Sequence, residues 1–93
     1  MSSYHSSPEA AEMHWKNLCA KNGLSEAINI GNQDTFAMRP ADLHELRKTA
    51  RRAVNKITEG WKPADHTDQN TDAVMYASEV IANITKKIER QQE

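Results

Sequence analysis

The chain has 93 residues, 12 basic and 13 acidic side chains, and only 5% aromatic residues. Such a length allows one helical domain, residues 1–93, with a thin core, since a chain this short buries roughly 60–65% of its unfolded surface. The near-neutral charge argues against a generic polyanion binder, and one cysteine, Cys19, excludes an internal disulfide or a thiolate zinc set.

No apolar run approaches the roughly 20 residues that span a bilayer. Residues 1–12 have neither the basic n-region nor the apolar h-region of a signal peptide. No membrane partner is expected, and the lone cysteine suits a reducing, cytoplasmic setting.

Residues 1–6 are Ser-rich and expected to be flexible. Ser7-Pro8-Glu9 predicts a helix start: Ser caps, Pro fits the first helical position, and Glu favours the positive end of the dipole. That helix, over about 8–22, should stop at Gly23, which tolerates a left-handed cap. Its apolar residues fall on two arcs, Ala11, Trp15, Leu18 and Cys19 against Met13, Ala20 and Leu24. A helix with two apolar sides is expected to be wedged between partners. The segment from Ser25 to Phe36 is expected to be loop with fragments of helix.

The stretch from Pro40 to Trp61 is the longest helical pattern, and the chain is read as organised around it. Pro40 opens a helix over about 40–60, Asp42 sits in its first turn, and Gly60 and Pro63 stop it. Leu43, Leu46, Ala50, Val54, Ile57 and Trp61 form one stripe at helical spacing. His44, Arg47, Lys48, Arg51 and Arg52 form a basic flank beside it. Lys62 to Gln69 reads as a polar connection. Thr67 or Asn70 can cap a last helix over about 70–90, with Ala73, Ala77, Val80, Ile81, Ile84 and Ile88 as its stripe. Two long helices with a short connection predict an all-α fold: a long antiparallel hairpin with the shorter N-terminal helix packed across it.

Catalytic and metal motifs are absent from the sequence. His5, His14, His44 and His66 show no HxxxH pair, and no Gly-rich phosphate loop or Gly-x-Ser-x-Gly occurs. Cys19 lies on an apolar arc, where a cysteine behaves as a small hydrophobe. Neither an enzyme nor a cofactor is expected.

The basic flank is the main candidate site, formed by Arg47, Lys48, Arg51 and Arg52. Its natural partner is an anion: nucleic-acid phosphate, a nucleotide, or a carboxylate-rich protein surface. The plainer alternative is a solvated face with local pairs such as Glu45 with Lys48. Base reading has few candidates, since Asn55 is the first outward amide. Met75 and Tyr76 on the last helix add a second hint of an interface.

The run Ala73-Val74-Met75-Tyr76-Ala77, ending at Ile81, resembles a helix signature in small phage-encoded proteins that sponge up cyclic-oligonucleotide immune signals. The pattern Leu46-Arg47, Ala50 and Ile57 resembles that family's preceding helix. Tyr76 stands where the family carries Trp, and the approach to the last helix is shorter and lacks an Arg-Glu-rich entry. The resemblance implies an oligomeric helical hairpin that binds ligand between subunits. It would be a non-enzymatic antagonist of bacterial immunity that blocks a host protein complex or sequesters a nucleotide signal. A nucleic-acid-binding regulator using the basic face is the alternative, and a plain dimerisation module or assembly chaperone is a third. Homo-oligomerisation is expected, because the stripes are narrow and the core thin.

Overall fold

Three α-helices frame the computed structural model, which describes residues 4–91 and has no strand among them. Helix α1 spans Pro8–Lys21, α2 spans Pro40–Glu59 and α3 spans Asp68–Gln91. Single 3-10 turns occupy Ser25–Ala27, Ile30–Asn32, Thr35–Ala37 and Pro63–Asp65.

The helix ends follow from local chemistry. Ser7 Oγ accepts from the Ala10 N–H at 3.1 Å, and Pro8 takes the first helical position. At the other end Gly23 has φ +69°, and the Leu24 N–H closes onto the Cys19 carbonyl at 2.8 Å. Pro40 opens α2, and Arg39 Nε pairs with Asp42 at 3.1 Å across its first turn. For α3 the cap is Thr67, whose Oγ1 accepts from the Asn70 N–H at 3.1 Å. The helix therefore starts at Asp68, ahead of the expected residue 70.

Packing shifts the centre of the fold away from α2. Both α1 and α2 pack against α3, and they touch one another only sparsely. Ala73 and Ala77 are fully buried in α3, and such small side chains let neighbouring helices come close. The main cluster joins them to Trp15, Cys19, Ala27, Ile30, Ala50, Ala53 and Ile57. A second cluster unites Leu43 of α2 with Ile84 and Ile88 of α3.

The molecule measures 43 × 31 × 18 Å. A thickness of 18 Å leaves room for two helix layers at about 8–10 Å separation. Half-burial of Leu46, Val54, Val80 and Ile81 is the consequence.

Helix α1 buries one arc only. Ala11, Trp15 and Cys19 are buried, whereas Met13 is 59% exposed and Ala20 is exposed. The expected wedge is therefore not formed within this chain. Trp15 faces the irregular segment, and its indole Nε1–H donates to the Ala27 carbonyl at 3.0 Å. Ala27 and Ile30 are buried with it, so the core anchors the Ser25–Ala27 and Ile30–Asn32 turns in addition to their own backbone hydrogen bonds.

Candidate functional site

The outward face of α2 carries the basic residues. His44, Lys48, Arg51, Arg52 and Asn55 are exposed, and Arg47 is half-buried. Positions four apart rise about 6 Å along a helix, so His44, Lys48 and Arg52 form one row and Arg47 and Arg51 a second. Together with Glu45 and Asn55 they line an open depression of about 520 Å³.

Arg47 is braced across the helix pair. Its Nη1 donates to Thr85 Oγ1 of α3 at 3.3 Å, and its Nη2 lies 3.2 Å from His44 Nδ1. That nitrogen accepts when the imidazole is neutral and protonated on Nε2. Among the described residues the ion pairs are His5–Asp68, Lys16–Glu12 and Arg39–Asp42. Arg47, Lys48, Arg51 and Arg52 belong to none of them, and the local pair of Glu45 with Lys48 is not formed. Four cations therefore stand together on one face with their counter-charge left to solvent or to a partner.

Met75 and Tyr76 occupy a different place. Both are half-buried, and neither borders the depression on α2. Tyr76 packs against the main core cluster, with its hydroxyl directly over Gly31. Burial, and then the charge of Glu12, raise its phenol above the ordinary value, so the ring stays neutral. Four of the six sequence candidates thus share one surface, Tyr76 belongs to the contact between α3 and the Ile30–Asn32 turn, and Met75 is half-buried elsewhere on α3.

Asp72 is the residue that sequence reasoning missed. It is the buried charged residue of the described chain, 1% exposed. Its carboxylate accepts from the His5 N–H at 2.9 Å, the Ser6 N–H at 2.9 Å and the Ser6 hydroxyl at 2.7 Å. Burial by itself would raise the carboxyl, but the three donors outweigh it and hold it below the usual range. Beside it the Tyr4 hydroxyl donates to Glu79 at 2.6 Å. Residues 1–3 of the segment read as flexible lie outside the described residues, whereas Tyr4, His5 and Ser6 are tied to α3. The available signal was weak: an aspartate directly before Ala73 but outside the arc of the apolar stripe, one turn ahead of Tyr76.

Cys19 is fully buried, and burial pushes its thiol up to about 11. It therefore stays protonated near neutral pH and is a poor nucleophile. No group of three metal-ligating side chains gathers among the described residues. His14 instead shares a hydrogen bond with Asn70 Oδ1 at 2.6 Å. No helix among the described residues is long and apolar enough to cross a membrane. No protein-family model, no curated protein and no solved structure matches this chain.

Proposed function

We propose that this protein is a small non-enzymatic binding protein of the inhibitor type, which covers an acidic surface of a partner protein with the cationic face of α2. The observation that carries this reading is the set Arg47, Lys48, Arg51 and Arg52, clustered on one face without an ion-pair partner. A face with a clear excess of one charge sign, here four cations against Glu45, speeds encounter with an opposite surface and fixes its orientation. The net charge of −1 keeps that attraction local to α2. A discrete nucleotide would need a second wall, which this open single-helix face lacks. Capture between copies is the form that resemblance to the phage-encoded sponges implies, and antagonism of bacterial immunity is the setting it suggests.

The scaffold under this face is read as an antiparallel hairpin of α2 and α3. Support comes from Leu43, near the start of α2, meeting Ile84 and Ile88 near the end of α3. Contact of Arg47 with Thr85 points the same way. Self-association in a cytoplasmic setting completes the proposal. It draws support from the 18 Å thickness and from Phe36 and Met13, 89% and 59% exposed. Light scattering should show more than monomer at high micromolar concentration, and monomer alone would refute this part.

A nucleic-acid reading is favoured by one observation, the two cationic rows on an exposed helix, which suit a phosphate backbone. The double variant Arg51→Glu/Arg52→Glu tests both. Both side chains are exposed, so the helix should persist. Partner binding should fall roughly tenfold or more, about 1.4 kcal/mol. Unchanged affinity would remove α2 from the site. Steep weakening of DNA binding with salt in the unaltered protein would favour the nucleic-acid reading instead.

A further inference from the structure

Beside the cationic face lies a depression of different chemistry. It holds about 190 Å³ and is floored by Leu24, Ala27, Thr49 and Ala53, with Arg52, Lys56 and Glu26 at its rim. The slot arises where the Ser25–Ala27 turn crosses α2. Ala27 is fully buried there and Ala53 is 2% exposed, so the two alanines form the base and the half-buried Leu24 and Thr49 supply the accessible apolar wall. Thr49, Ala53 and Lys56 lie along α2 over about 10 Å, so the slot follows the helix axis. Arg52 borders both depressions, which makes the apolar slot continuous with the cationic face.

We infer that the partner offers this surface an acidic amphipathic segment, one apolar side chain of which seats in the slot against Leu24 and Thr49, above Ala53. This inference rests on the proposed acidic-protein reading and names the segment that the face would hold. A slot of 190 Å³ is smaller than the roughly 300–1,000 Å³ of small-molecule sites, and it suits one side chain. Carboxylates flanking that side chain meet Arg52 and Lys56, with Lys48 and Arg51 beyond. Glu26 repels a carboxylate on the side of the Ser25–Ala27 turn, so the acidic residues must lie toward α2, and this sets which side of the segment carries them. Nucleic acid is disfavoured at the slot, because none of its lining residues is an aromatic platform for a base.

Selection of ribosome-displayed random 12-residue peptides against the full-length protein tests this. Enriched peptides should carry two or more Asp or Glu around one Leu, Ile or Met. The synthesised consensus peptide is then compared by fluorescence anisotropy with a version whose apolar residue is Gly. The Gly version should bind at least tenfold more weakly. Thr49→Trp, which fills the slot, should abolish that tenfold preference while salt-sensitive binding of either peptide persists. Thr49→Met is the milder variant should Thr49→Trp fail to fold by circular dichroism. No enrichment, enrichment without acidic residues, or a preference untouched by both Thr49 variants overturns the inference. Acidic peptides that bind without anchor preference overturn the slot alone. Peptide binding that survives Arg51→Glu/Arg52→Glu overturns the reading of the face itself.

Discussion

Gly31→Ala tests the contact that locks the irregular segment onto α3. Gly31 does not have a positive φ, so its backbone accepts alanine, and Gly→Ala at such a position ordinarily stabilises by about 0.4–1 kcal/mol. Here the sign should reverse. A methyl on Gly31 would lie 1.9 Å from Tyr76 Oη, 2.9 Å from Cζ and 3.4 Å from Val80 Cγ2. The ring cannot simply turn away. Oη lies on the ring axis, so rotation about χ2 leaves it in place, and Tyr76 is packed against the core. Overpacking of this kind costs about 1–3 kcal/mol. Set against the entropic gain, the net loss should be about 1–2 kcal/mol, a fall of about 5–15 °C in Tm. Tyr76→Phe removes the atom in closest conflict but leaves Cζ, so it should relieve part of the loss. A double-mutant cycle by thermal circular dichroism should give a coupling of about 1 kcal/mol. Stabilisation by Gly31→Ala, or an equal cost with Tyr76 and Phe at that position, would refute the reasoning.

Trp15→Ala should cost about 3–5 kcal/mol in urea unfolding, a large share of the roughly 5–14 kcal/mol expected of 93 residues. Trp15→Phe should cost more than its lost area, because the buried Ala27 carbonyl loses its donor. Asp72 should make stability acid-sensitive. Its carboxyl is held below the ordinary value near 3.9, so its contribution is present above that value and is lost as pH falls through the lower folded one. Urea midpoints measured from roughly pH 5 to pH 2 should therefore fall less steeply for Asp72→Asn, and parallel curves would refute the assignment.

Local signals in the chain anticipate much of this architecture. The Ser7-Pro8 start, the Gly23 stop and the Pro40 start act within one helical turn, so neighbouring residues suffice to specify them. The stripes on α2 and α3 are likewise legible, because burial follows the 3.6-residue period. Lys48, Arg51 and Arg52 are exposed as charged side chains off the stripe should be. The sequence by itself therefore determined the helical class and the existence of a basic face.

Tertiary structure alone decided what meets what. α3 became the shared support because Ala73 and Ala77 admit close neighbours, a property that appears only once helices are paired. Asp72 looks like a stray charge until the backbone of His5 and Ser6, more than sixty residues away, arrives to satisfy it. Trp15 and Ala27, Gly31 and Tyr76, and Arg47 and Thr85 are likewise joined only by the closed chain. The slot between Ala27 and Ala53 belongs to the same class. Its shape depends on a turn crossing a helix, and no periodicity along one segment records a gap formed between two.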